Sequence, residues 1–231
     1  MNLESAKQNL KEKGYCSFEL NEFDENLYEY IKKYKTSSEV SRKENYTNLR
    51  ADFVGDYWTK IYGNINEDMG SFEKANNKKE EILSQIKNTN RDMFQIWLFH
   101  NVSDINLTKI YNKITKYFFD LDESEQLNVE ISSTLYNDRC FLHDHIDGKS
   151  PVKNYASILI YLNENWNGED GGNLILKGDD GIEYKVVPEF GRVAMIDLQN
   201  FDIYHTVEKV INNKERYCLI AFPFNKKNKQ D

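Results

Sequence analysis

Several features that define particular protein classes are scarce in this sequence. Cysteine occurs three times, at positions 16, 140 and 218, and no two cysteines form a CxxC pair. Such an odd, scattered set argues against a disulfide framework and favours a reducing compartment, so we expect a cytoplasmic protein. Proline and glycine are few, at 3 and 11 among 231 residues, which argues against a repeat-built or disordered chain.

Long apolar runs and excess positive charge are also missing. The longest strongly apolar run, "ASILIYL", is far shorter than the roughly 20 residues of a membrane-spanning helix, and the first residues lack the apolar segment of a signal peptide. Asp and Glu total 38 against 30 Lys and Arg, so the net charge is -8. The sequence therefore predicts neither nucleic acid nor membrane as a partner, and it leaves the oligomeric state open.

Hydrophobic patterning differs between the two halves of the chain. In the first half, residues 3–13 and 24–35 have the composition or spacing of helices, residues 14–20 alternate as a strand does, and residues 74–88 are typical of a solvated helix. Residues 36–72 are irregular and rich in aromatics. They predict either a lid over a substrate or a loop packed down by its own aromatic side chains.

The second half has the pattern of a β protein. A strand at 93–100 and an amphipathic helix at 108–120 precede eight short apolar or alternating runs, several of them divided by Gly, Asn or Asp. The runs are 127–136, 139–146, 155–162, 173–177, 182–187, 192–197, 203–210 and 216–222. Such spacing indicates a sandwich, jelly roll or barrel. We predict a single α+β domain over 1–231, in which helical residues 1–89 support a mainly β core over 90–225.

A cluster of metal-ligand residue types stands at 140–150. His145 and Asp147 are two positions apart, so at the end of a strand both side chains would project from one face, whereas Asp144 would point away. Two histidines and one carboxylate are a donor set that suits non-haem Fe(II). A second histidine would have to come from a distant strand, and His205 stands in another predicted strand.

An ordered set of motifs resembles a known family. After Tyr136 come "HID", "SILIYLNENW", "GGNLIL", "VPEFGRVAMID", "YHTV" and "ERYCL", in that order. This set is similar to the Fe(II)- and 2-oxoglutarate-dependent dioxygenases, in the branch that resembles prolyl hydroxylases. The resemblance covers roughly residues 90–225 and implies a double-stranded β-helix, which is a jelly roll with the metal inside one open end.

The resemblance also implies roles for individual residues. His145, Asp147 and His205 would bind Fe(II), 2-oxoglutarate would chelate the metal, and O2 would take the last position. Arg216 would form a bidentate pair with the distal carboxylate of 2-oxoglutarate. Further contacts to the cosubstrate would come from three residues that the resemblance places nearby: Tyr136, Cys218 and His143. Cys218 stands where many relatives have serine, and a thiol is a weak donor.

The activity implied is hydroxylation of an aliphatic carbon in an amino acid, free or within a peptide or protein, with release of succinate and CO2. Alternatives stay open: a desaturase or cyclase of a natural-product precursor, a non-catalytic metal-binding jelly roll, or a zinc hydrolase with Glu169 or Asp170 as the base. The carboxylate of Asp147 argues against a halogenase. Phe222, where nucleic-acid demethylases of this superfamily carry a second arginine, argues against that branch. The sequence predicts a small-molecule or peptide substrate without identifying it.

Overall fold

A computed structural model describes residues 2–37, 48–53, 94–138, 140–147, 154–178 and 181–225, with only the backbone described at 37, 48–53, 94–100 and 143. The helix predicted at 74–88 and most of the predicted 36–72 loop lie outside these residues. Within the described ranges, no helix combines the length and the hydropathy needed to cross a membrane.

The N-terminal segment consists of helices that follow their local capping signals. Helix α1 (Leu3–Lys13) begins at Asn2, whose side chain accepts a hydrogen bond from the backbone N–H of Ser5, and it ends at Gly14 in the left-handed region. Strand β1 (Tyr15–Glu19) follows, and then helices α2 (Leu20–Phe23) and α3 (Glu25–Ser37). The helices and the strand predicted here are confirmed.

The remaining described elements form two antiparallel sheets and one long helix. In chain order they are β2 (Asn48–Phe53), β3 (Phe94–Asn101), α4 (Ile105–Phe118), β4 (Asn128–Tyr136), β5 (Leu142–His145), β6 (Ala156–Tyr161), a 3-10 turn (Gly168–Asp170), β7 (Leu174–Lys177), β8 (Glu183–Val186), β9 (Arg192–Asp197), β10 (Tyr204–Val207) and β11 (Arg216–Phe224). The large sheet has the order β1-β9-β6-β11-β4-β3-β2, and the small sheet has the order β5-β10-β7-β8.

The two faces of the large sheet bury different layers. Along β6, Ile158 and Ile160 join the side chains of α1 and α4, including Leu10 and Ile114, in one buried cluster. The alternate residues of β6 point the other way, towards the apolar side chains of β7 and β10. The period of two along a strand produces this division, and each buried Leu or Ile contributes about 1.5–3 kcal/mol. The result is the predicted double-stranded β-helix, with helices packed on one outer face.

Two boundaries differ from the sequence-based expectation for physical reasons. Residues 48–53 were predicted to lie in an irregular loop, but they form β2, because β3 offers an edge on which all six residues pair. Helix α4 begins at Ile105 rather than at 108, because the Asp104 side chain accepts hydrogen bonds from the backbone N–H groups of Asn106 and Leu107 and caps the helix there.

Candidate metal centre and cosubstrate pocket

Two neighbouring strands of the small sheet bring the predicted metal ligands together. His205 on β10 lies directly opposite His145 on β5, and the centroids of the two imidazole rings are 4.1 Å apart. Asp147 follows two residues after the end of β5, and its Oδ1 is 3.6 Å from Nε2 of each histidine. The three potential ligand atoms all lie within 4.8 Å of one another.

The carboxylate of Asp147 is arranged to stay ionised although it is largely buried. Burial by itself raises the pKa of this carboxyl, but the imidazoles of His145 and His205 outweigh that effect and hold the pKa well below its usual range. Its Oδ2 is buried and has no hydrogen-bond partner among the described residues. Since an unpaired buried carboxylate oxygen is costly, this atom indicates a cation that completes the site.

The ring of His205 is oriented for ligation through Nε2. Its Nδ1 lies 3.2 Å from the backbone carbonyl of Ile203. With the Nδ1–H donating to that carbonyl, Nε2 carries a lone pair that faces Asp147 and His145, which is the usual arrangement of a metal-binding histidine. Two imidazole nitrogens and one carboxylate oxygen then match the donor set of a non-haem Fe(II) site.

Arg216 lies buried in the layer between the sheets, against two aromatic rings. It is the first residue of β11, it is 1% exposed, and it pairs with Tyr136 of β4. Its Cζ is 5.0 Å from the ring centroids of both Tyr136 and Tyr161. Its Nε and Nη2 have no hydrogen-bond partner in the described part of the chain. A buried guanidinium with two free donors is suited to bind a carboxylate in bidentate fashion.

Tyr136 connects the arginine to the metal ligands. Its side chain is buried, and burial raises the pKa of its hydroxyl far above the usual range. The charge of Arg216 lowers that pKa and the charge of Asp147 raises it, so the hydroxyl lies within electrostatic reach of both residues. Tyr136 therefore lies near both the guanidinium and Asp147.

Two further predicted contacts have different outcomes. Cys218 lies on the same face of β11 as Arg216, and burial raises the pKa of its thiol to about 12, so the thiol stays protonated. Its Sγ is 3.5 Å from the backbone carbonyl of Leu219. His143 lies on β5, but its side chain is outside the described part of the structure, and its role stays a prediction.

The structure also adds residues that the sequence did not single out. Tyr161 was part of an apolar run, yet its buried ring faces Arg216. The alternation of "SILIYL" places Tyr161 on the same face as Leu159, and this is the only sequence signal for it. Gly172 lies against the stem of Arg216.

Of the two candidate bases for a zinc hydrolase, Asp170 has a structural role instead. Asp170 accepts hydrogen bonds from the backbone of Asn167 and from the side chain of Asn212, and its carboxylate also lies 3.5 Å from Nζ of Lys214. Glu169 is exposed on the same turn. Within the described residues, neither carboxylate joins the group formed by the two histidines and Asp147.

The part of the chain that carries these residues matches a protein family model. Residues 131–223 match the family model described as the 2OG-Fe(II) oxygenase superfamily, a span that begins within β4 and ends within β11. This span contains His145, Asp147, His205 and Arg216. Among curated protein sequences, no significant match exists.

Solved structures share the fold at low sequence identity. A prolyl-4-hydroxylase from Pseudomonas putida is 15% identical, with 97% of this chain and 99% of that chain covered and a TM-score of 0.56. A prolyl hydroxylase from Trichoplax adhaerens, solved with a peptide fragment of a hypoxia-inducible factor, is 13% identical, with 98% and 90% covered and a TM-score of 0.61. The carbocyclase SnoK from nogalamycin biosynthesis is 11% identical, with 96% and 83% covered and a TM-score of 0.57.

Proposed function

We propose that this chain hydroxylates an aliphatic carbon of an amino acid, free or within a peptide or protein, since residues 131–223 match the family model of the 2OG-Fe(II) oxygenase superfamily. The reaction would use Fe(II), 2-oxoglutarate and O2 and release succinate and CO2. The observation that carries this proposal is the compact His-Asp-His group together with a buried arginine whose Nε and Nη2 have no hydrogen-bond partner among the described residues.

Each residue of the pocket would have a defined task. His145, Asp147 and His205 would hold the metal on one side and leave its other positions open to the pocket. Bound there, Fe(II) with 2-oxoglutarate supplies the oxidising power that a C–H bond requires. Arg216 would bind the distal carboxylate of 2-oxoglutarate through Nε and Nη2, the two donors that lack protein partners.

The aromatic walls would control the environment of that carboxylate. Tyr136 and Tyr161 flank the guanidinium, exclude water from it and offer hydroxyl donors beside it. In a dry pocket, a charge-assisted hydrogen bond is stronger than in water. Cys218 would contribute a neutral surface on the same face, since its thiol remains protonated.

A desaturase or cyclase is the second candidate function. The same iron site supports such reactions, and the fold of the carbocyclase SnoK is similar over most of this chain. The peptide in the Trichoplax adhaerens structure supports an amino-acid or peptide substrate for this chain. We keep the cytoplasm as the proposed location, since three scattered cysteines without a CxxC pair suit a reducing compartment.

The test is succinate formation followed by analysis of the oxidised product. The protein, loaded with Fe(II), is given 2-oxoglutarate, O2 and a panel of free amino acids and proline-containing peptides. We expect a slow Fe(II)-dependent release of succinate without substrate and a faster release with the correct substrate. Its product should gain one oxygen atom from labelled O2, whereas desaturation would remove two hydrogens.

Two variants make this test specific. His145→Ala should abolish succinate release, whereas Glu169→Gln, which alters an exposed carboxylate outside the metal group, should leave it unchanged. Stoichiometric iron binding with no succinate above the metal-free background would contradict the proposal and favour a non-catalytic metal-binding protein.

A further inference from the structure

The backbone beside the stem of Arg216 has no room for a side chain. Gly172 has a φ of +64°, and a Cβ built on it would lie 2.9 Å from Cδ of Arg216. The same point is 3.1 Å from Cζ2 of Trp166 and 3.1 Å from Cγ2 of Val210. Arg216, Trp166 and Val210 therefore converge on one small space that only a glycine leaves open.

The segment that carries Gly172 is fixed from two directions. The backbone N–H of Gly172 donates to the carbonyl of Lys209 at 3.1 Å, and the indole Nε1 of Trp166 donates to the carbonyl of Gly171 at 3.0 Å. Because the backbone is held on both sides, it cannot retreat from an added methyl group. The stem of Arg216 would have to move instead.

We propose that Gly172 is a positioning residue that sets where the guanidinium of Arg216 meets the cosubstrate carboxylate. This inference rests on the proposed role of Arg216 in binding 2-oxoglutarate. A guanidinium pairs with a carboxylate through two parallel hydrogen bonds, so a small shift of the arginine stem misaligns both bonds at once. The metal ligands lie on β5 and β10 and just beyond β5, and a shift of the β11 arginine leaves them in place.

The test compares alanine substitutions at two glycines that have a similar positive φ but differ in the room available for a side chain. Gly172→Ala adds a methyl group against Arg216, whereas Gly181→Ala adds one at a φ of +73° with no described atom within 4 Å. Binding of 2-oxoglutarate is measured by calorimetry on the Fe(II)-loaded protein without O2. We expect Gly172→Ala to raise the Kd at least about tenfold, as loss of a hydrogen bond between charged groups does, and Gly181→Ala to leave it unchanged.

Kinetics separates positioning from general damage. For Gly172→Ala, the KM for 2-oxoglutarate should rise in parallel with Kd, while kcat at saturating 2-oxoglutarate and the Kd for Fe(II) stay close to wild type. A fall in kcat and in Fe(II) affinity with an unchanged KM would overturn the proposal. An equal loss in Gly181→Ala would also overturn it, because backbone strain alone would then explain the effect.

A second variant covers the case in which Gly172→Ala does not fold. Trp166→Phe removes the ring atoms that lie next to Gly172 and loosens the packing around Arg216, so it should weaken 2-oxoglutarate binding severalfold without changing Fe(II) affinity. Unchanged binding in this variant would contradict the inference. Arg216→Met serves as the reference for these variants. If Arg216→Met also binds 2-oxoglutarate normally, the proposed function fails. If Arg216→Met loses binding while the Gly172 and Trp166 variants keep it, only the role of Gly172 fails.

Discussion

Replacing Arg216 by methionine should weaken the binding of 2-oxoglutarate while leaving the stability of the unliganded protein equal or higher. The guanidinium is 1% exposed, and its Nε and Nη2 have no partner among the described residues. Methionine fills a similar volume without a charge. If Arg216 stabilises the fold, the variant should be less stable than wild type. If Arg216 binds the ligand, the variant should lose ligand binding and keep its fold.

The magnitudes follow from the contacts of Arg216. Removing one partner of a buried charge pair costs about 2–5 kcal/mol, and since 1.4 kcal/mol corresponds to a factor of ten, the Kd for 2-oxoglutarate should rise about 30-fold to 4,000-fold. In the unliganded wild type, each unsatisfied donor of Arg216 costs about 1–3 kcal/mol, and the variant no longer carries that cost. The variant also loses two ring contacts of about 0.5–2 kcal/mol each, which offsets part of this gain in stability. The unliganded variant should therefore be as stable as wild type or more stable.

The assay is thermal unfolding with and without 2-oxoglutarate in the presence of a redox-inert divalent metal such as Mn(II). Wild type should gain Tm as 2-oxoglutarate is added, and Arg216→Met should start at an equal or higher Tm and gain much less at the same concentrations. Arg192→Met is the matched control, because Arg192 pairs with Glu19 and Glu189 outside the pocket and its loss should leave the ligand-induced gain intact. A lower starting Tm for Arg216→Met with a normal ligand-induced gain would refute this reasoning.

Three further predictions address the metal, the thiol and the support of the sheet. Asp147→Asn keeps the shape but removes the charge that the metal requires, so Fe(II) retained after dialysis should fall at least about tenfold by metal analysis; full retention would exclude Asp147 as a ligand. Because burial raises the pKa of Cys218 to about 12, this thiol should resist iodoacetamide at pH 8 in the folded protein, by mass spectrometry, and rapid labelling would show that the pocket is open. Asp104→Ala removes the cap of α4 and should lower the free energy of unfolding by about 1–2 kcal/mol in urea without changing 2-oxoglutarate affinity; a changed affinity would indicate that α4 influences the pocket.

Local chemistry explains why so much of this fold could be predicted from the sequence. His145 and Asp147 lie close together in the chain, at and just beyond the end of β5, and the strands of the β core differ from their predicted ranges only at the ends. The capping of α1 by Asn2 and Gly14 is equally local. The ordered motifs from Tyr136 to Arg216 resemble the same superfamily whose family model matches residues 131–223.

Features that depend on pairing between distant strands could not be predicted in this way. The register that places His205 opposite His145 is set by two strands far apart in the chain. Tyr161 looks like any apolar core residue until β6 lies beside β11 and its ring faces Arg216. Strand β2 forms because β3 presents a free edge, which no local pattern at 48–53 indicates.

The central claim is that one pocket holds the metal through His145, Asp147 and His205 and binds 2-oxoglutarate through Arg216. The most direct measurement is the visible absorption of the protein under anaerobic conditions, as Fe(II) and then 2-oxoglutarate are added. We predict a weak charge-transfer band that is absent in His145→Ala and that requires much more 2-oxoglutarate in Arg216→Ala. A wild-type protein that binds Fe(II) but shows no band, or an Arg216→Ala variant that titrates like wild type, would contradict the claim.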